Sequence, residues 1–321
     1  MQQSILTADA ETAKQRIRTF YDRLSPHFRD LSGPHLHDGY YANGATSKEM
    51  AQAHLVDVLA SAAAVRKGME VLDVGCGMGA TSVELAKRWH CRTHGVTLSP
   101  VQVEIARELA LRQGVAERTR FEVRDAETLE LARRFDLLWM VGVLGHLPDQ
   151  AAFVARSRCF LRPGGRFLLG DWMLGPDVGA TARARLVDPV LEGMLMPSIF
   201  GLAETRDWFE AAGYRILETR DITAETAPTW DEGVAITRVG AVVKLVQSLG
   251  HDAIRLVQAI RGMRKAMAEG AIVCLWRGRG GGALSARRMG RSAALRHPSS
   301  PSSRCFFFDS PDATIRWDWR R

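Results

Sequence analysis

Residues Glu70–Ala86 read EVLDVGCGMGATSVELA: a short apolar run, three glycines at alternate positions, and a stretch whose apolar residues recur at helical spacing. Gly75, Gly77 and Gly79 permit positive φ and close approach of a ligand to the backbone, and the helix that follows presents free N–H groups in its first turn. A glycine triplet alone carries little weight. Between a strand and a helix it has the context that gives such a motif meaning. The dinucleotide fingerprint does not fit, because position 80 is Ala80 and the second strand closes on Gly95, Val96 and Thr97, with no acid to hold an NAD ribose. Asp73, just ahead of the glycines, fits an acceptor near the amino group of a bound methionine. The alternative is a strand-end Asp that caps the loop.

Outward from this segment, Glu70 to Asp171 alternates short apolar runs with amphipathic stretches, the rhythm of βαβ units and a mostly parallel sheet. The expected strands are EVLDVG, RTHGVT, TRFEVR, FDLLWM and RFLLGD. Between them lie the helices SVELAKRW and PVQVEIARELALRQG, the latter closed by Gly114, and a helix ending at Leu161 before RPGG. Residues 1–65 form an N-terminal helical cap, interrupted by the turn-rich LSGPHLHDGYYANGAT. Residues 66–276 form the core, which after the sheet carries VGATARARLVDPVLEGMLMPSIFG, an insertion at about 175–200 that reads either as a lid over an apolar acceptor or as an ordinary helix pair packed on the sheet. A helix AETRDWFEAAG, a strand YRILETRD, an amphipathic helix over 240–268 with a break near Gly250, and a last strand GAIVCLW complete it. Residues 277–321 are rich in Gly, Ser and Arg without periodicity and are expected to be a disordered tail.

VLDVGCGMG resembles the first motif of class I S-adenosylmethionine (SAM) dependent methyltransferases, and GVTLSPVQ resembles a narrower branch of tocopherol-type, cyclopropane-synthase-like and antibiotic sugar or polyketide methyltransferases. That resemblance implies an α/β, Rossmann-like, seven-stranded and mostly parallel sheet with SAM as cofactor. It further implies that Thr97 and Gln102 bond the ribose hydroxyls and methionine end of SAM, and that Asp125 in VRDAETL accepts from the adenine amino group, with Ala126 beside it. The stretch GPHLHDGYY is similar to the Gly-x-x-x-His-x-Gly-Tyr segment that closes over SAM in relatives, which implicates Tyr21, His37, Gly39 and Tyr40; Ser32 departs from the Trp common there. His35 and His37 form a His-x-His pair with no third ligand nearby, so no metal site is read.

After the fourth strand, MVGVLGHLPDQ resembles the family's Glu-His-x-Pro-Asp stretch, keeping His146, Pro148 and Asp149 but carrying Gly145 in place of the Glu that cyclopropane-forming members use. His146 falls at the carboxyl end of a parallel strand and Asp171 at the end of the next, so both can reach one cleft. Similar members that methylate hydroxyls have His and Asp here as base and partner or as substrate anchor; the alternative is that each residue caps its loop. The leading expectation is O-methylation of a small, largely apolar metabolite. C- or N-methylation of a prenyl quinol, sterol-like lipid or amine follows, then a SAM-binding protein without turnover.

The net charge of +7 is not spread over the chain: the ten Arg and three Asp after Trp276 account for all of it. A neutral body is poor evidence for phosphate-backbone binding, so no nucleic-acid partner is expected. The five cysteines lack any Cys-x-x-Cys, and no run approaches the roughly 18 apolar residues of a membrane span. A cytoplasmic protein with a small-molecule acceptor is expected, and a homodimer is compatible with the sequence.

Overall fold

A computed structural model describes residues 4–42, 47–236 and 246–276. Seven strands form one sheet in the order β3-β2-β1-β4-β5-β7-β6: β1 (Glu70–Val74), β2 (Arg92–Thr97), β3 (Thr119–Val123), β4 (Phe135–Val141), β5 (Leu161–Leu174), β6 (Arg220–Asp221) and β7 (Ile272–Trp276). The first five run parallel, and β7 is antiparallel to both β5 and β6. Strand order reverses between β1 and β4, which opens a crevice at their carboxyl ends, where ligands of open α/β sheets bind. The central strands are apolar on both faces because helices cover both: Val71, Leu72, Val74, Leu137, Leu138 and Trp139 are all buried.

The cap comprises α1 (Ala10–Ser32) and α2 (Lys48–Ala62). The side chain of Asp9 caps α1 by accepting from Thr12 N at 2.9 Å, and Ser47 caps α2 by accepting from Met50 N at 3.2 Å. In α1 the buried Ala13, Ile17, Phe20 and Leu24 recur at four and three, so one stripe of the helix faces the core. Helices α3 (Ala80–Arg88) and α4 (Pro100–Arg112) follow β1 and β2, and α5 (Gln150–Ser157) follows β4.

Two boundaries and one packing arrangement differ from the sequence reading. Helix α5 stops at Ser157, and a single 3-10 turn, Arg158–Phe160, leads into β5, because Leu161 pairs with Phe135 ahead of a register shift that accommodates RPGG. The strand expected over YRILETRD shrinks to Arg220–Asp221, since Tyr214 turns inward to pack on Phe209 and to bond Ser157 Oγ at 2.6 Å. The insertion packs less on the sheet than on helix His251–Ala268: an added Cβ at Gly193 would collide with the backbone of Arg255 and with Ala259. Of the helix expected over 240–268, residues 240–245 lie outside the described residues, as does the tail 277–321; Gly250, with φ 59°, marks the break. Among the described residues no helix is long and apolar enough to cross a membrane.

Candidate active site

Tyr21, His37, Asp73, Gly75, Gly77, Thr97, Gln102, Asp125, Ala126, His146 and Asp171 line one cavity of about 290 Å³. The β-α turns deliver most of them to the carboxyl edge of the sheet, and α1 and the 34–38 segment close over the top. Gly39, Tyr40 and Gly79 do not line it. Gly39 is packed against α2, where a Cβ would stand 2.6 Å from that of Ala51, and its N–H donates to Thr229 Oγ1 at 2.9 Å. The Tyr40 hydroxyl accepts from Arg220 at 3.4 Å. Gly79, at φ 79°, lets α3 close against Ala106 and Phe121. These three hold the wall from behind. Gly39→Ala is therefore expected to cost roughly 1–3 kcal/mol in denaturant unfolding by overpacking, with little change in cofactor affinity for the folded fraction.

The glycine turn adopts the conformation its residues allow, with φ of 71°, 52° and 79° at Gly75, Gly77 and Gly79. Below it, Asp73 accepts from Ser82 Oγ at 2.6 Å, a partner nine positions away that the sequence did not flag. Thr97 Oγ1 donates to Gln102 Oε1 at 2.7 Å, and Gln102 Nε2 donates to Ser25 Oγ at 3.1 Å, so this pair ties β2 to α1. Asp125 accepts from Lys14 Nζ at 2.8 Å and from Glu127 N at 2.8 Å; Lys14 also pairs with Glu127 at 2.6 Å. Lys14 carries no motif signal, and only the fold brings it across 111 positions.

His146 and Asp171 are not partners. Asp171 Oδ2 accepts from Val143 N at 2.9 Å and Leu144 N at 2.7 Å, and its Oδ1 accepts from Trp172 N at 2.8 Å, so it anchors the loop that carries His146 instead of orienting the imidazole. The imidazole is oriented by a backbone group from the insertion: Nδ1 lies 3.1 Å from Leu195 O. A carbonyl only accepts, so Nδ1 carries the proton and Nε2 presents a lone pair, which receives the Tyr21 hydroxyl at 3.0 Å. Burial raises the Tyr21 pKa, as does the nearby Asp171, which keeps the phenol a donor. Desolvation lowers the His146 pKa, opposed by the Leu195 carbonyl, so the ring is neutral at pH 7. Leu195 itself sits at φ 52° and ψ 46°, a left-handed conformation uncommon for a branched side chain, at the end of helix Asp188–Met194.

Gly145 has a steric explanation. A side chain there would run into the terminal methyl of Met196, which comes from the insertion and occupies the space. Met194, Met196, Trp139, Leu256, Ile260 and Trp230 make the neighbouring wall mostly apolar.

Three buried carboxyls, Asp38, Asp73 and Asp171, also line the cavity, and none forms an ion pair among the described residues. Burial pushes each up to about 6, against opposing hydrogen bonds. Such a set suits a ligand that brings positive charge, and an open Gly77, whose added Cβ would meet only Leu36 Cδ1 at 3.4 Å, suits one that lies against the turn. Both fit SAM, with its sulfonium and ammonium groups.

A family model described as a methyltransferase domain matches residues 71–165. The 27-O-demethylrifamycin SV methyltransferase of Amycolatopsis mediterranei is 32% identical over 212 residues, spanning 65% of this chain and 77% of that one. Norajmaline N-methyltransferase of Rauvolfia serpentina is 26% identical over 277 residues, spanning 81% and 95%. The solved structure of the cyclase SpnF superimposes with a TM-score of 0.70 at 25% identity, over 84% of this chain and 97% of that one.

Proposed function

We propose, starting from the fact that this chain belongs to the class I SAM-dependent methyltransferases that act on small molecules, that its methyl acceptor is a hydroxyl of a largely apolar metabolite and that His146 is the general base. The observation that carries this reading is the fixed tautomer of His146: with Nδ1–H committed to Leu195 O, Nε2 is a neutral base facing the cavity. SAM, when bound, supplies an electrophilic sulfonium methyl in the cavity lined by Asp73, Gly75 and Gly77. The protein aligns the acceptor within the apolar wall, excludes water there and takes the hydroxyl proton at Nε2. An acceptor hydroxyl reaches Nε2 by taking the place of the Tyr21 hydroxyl or by passing its proton through it.

The test is incubation of the protein with isotope-labelled SAM and a panel of hydroxylated, aminated and olefinic apolar compounds, read by mass. A label that appears only on nitrogen or carbon would overturn O-methylation.

Asp73 and Asp171, the two of these carboxyls on which no cation acts, support a separate prediction. Above about pH 6 they are ionised and attract the sulfonium; as pH falls through that value they are protonated and the attraction is lost. The preference for SAM over S-adenosylhomocysteine (SAH), which lacks the sulfonium charge, is therefore expected to rise at least about tenfold between roughly pH 5 and pH 7.5. Calorimetric titrations at both pH values check it, and parallel pH dependences for the two ligands would rule it out.

A further inference from the structure

We propose that Glu192 and the 3-10 turn Ile5–Thr7 ahead of α1 are positioning groups for the His146 base: together they hold the end of helix Asp188–Met194, and with it the Leu195 carbonyl that selects the tautomer of the imidazole. The inference rests on the reading of His146 as the general base.

Two groups hydrogen-bond the His146 ring, and one of them decides nothing about its tautomer. The Tyr21 hydroxyl, 3.0 Å from Nε2, can donate or accept and so fits either form. The Leu195 carbonyl, 3.1 Å from Nδ1, only accepts, and it is the partner that requires the proton on Nδ1. That carbonyl belongs to a residue in a sparsely populated conformation, at φ 52° and ψ 46°. Such a backbone persists only where its surroundings over-determine it.

Three sets of contacts do so here. Within the helix end, Leu195 N donates to Glu192 O at 3.4 Å and Met196 N to Leu191 O at 2.9 Å. On one side Gly193 is pressed so closely against the backbone of Arg255 and the Ala259 methyl that a Cβ would not fit. On the other, the Glu192 carboxylate accepts from Ser4 Oγ and, at 3.3 Å, from Ile5 N. Hydrogen bonds to an ionised acceptor are the stronger kind. Ser4 Oγ also accepts from Leu6 N at 3.2 Å, which leaves its own proton for the carboxylate. Ile5 is 0% exposed and belongs to the same core cluster as Leu191, Leu195 and Met196, so the turn is anchored by burial as well as by Glu192. Glu192, Ser4 and Ile5 do not line the cavity. Their influence on the reaction therefore runs through Leu195, three residues beyond Glu192.

The experiment records long-range proton–nitrogen NMR correlations of the imidazole rings in the SAH-loaded full chain, with the His146 signals assigned by their absence in His146→Asn. The wild-type ring is expected to hold its proton on Nδ1 in more than about nine-tenths of molecules. Glu192→Ala should bring the Nε2–H form to at least about one third. Glu192→Gln, whose amide oxygen still accepts from Ile5 N, should keep the wild-type pattern even where its melting temperature falls. Ser4→Ala, which deletes one of the two contacts, should lie between, and it supplies the reading if Glu192→Ala does not melt cooperatively. A wild-type ring protonated on Nε2, an unchanged tautomer in folded Glu192→Ala or Ser4→Ala, or a Glu192→Gln ring shifted as far as that of the alanine variant would overturn the proposal. The spectra need no acceptor. Absence of hydroxyl methylation in the labelled-SAM assay would thus count against the base assignment and leave the control of the tautomer standing.

Discussion

His146→Ala is expected to lower turnover about 10²- to 10⁴-fold at saturating acceptor, the usual contribution of a positioned general base. SAM affinity should stay nearly constant, because the contacts of His146 run to Tyr21 and Leu195 and not to the glycine turn. The pH profile gives an independent reading. Desolvation lowers the His146 pKa below its ordinary 6.5, so the wild-type rate should climb with pH through that lowered value and level off above it. The alanine variant should lose that acid limb. Near-normal turnover with an unchanged profile would exclude the base assignment. A raised acceptor KM at constant kcat would recast His146 as a residue that only positions the acceptor.

Gly77→Val should abolish SAM binding, with affinity reduced by more than about 100-fold. The protein itself leaves room: only Leu36 Cδ1 lies near the position of an added Cβ, at 3.4 Å. The φ of 52° costs a valine about 1–2 kcal/mol, which a domain of this size survives. What valine removes is the space against the turn. Calorimetry on a variant that still melts cooperatively checks this, and retained SAM affinity in such a variant would displace the cofactor from the Gly75–Gly79 loop.

The fold was legible where burial and periodicity coincide. The five parallel strands read directly from their apolar runs, because both faces of each central strand are covered. The edge gave less: β6 keeps only Arg220 and Asp221, since what decides pairing there is where the Tyr214 side chain finds a partner. The cavity was legible as a set of turns, and eleven of the fourteen residues read from the sequence line it. The division of labour among them was not. Asp171 serves three backbone N–H groups and His146 serves a backbone carbonyl; main-chain atoms have no letter in the sequence. The GPHLHDGYY stretch shows the same limit, with His37 and Asp38 facing the cavity and Gly39 and Tyr40 facing away.

The interlock of Gly145 with Met196 constrains how the chain can change over generations. A carboxylate introduced at position 145 alone would meet the methionine methyl, and a small residue at 196 alone would open a void beside the base. The methionine end can swing aside, so the room at 145 depends on what stands at 196. Changes at the two positions are thus coupled, and the insertion, 51 residues downstream, sets how much room a side chain finds in the loop that carries the base.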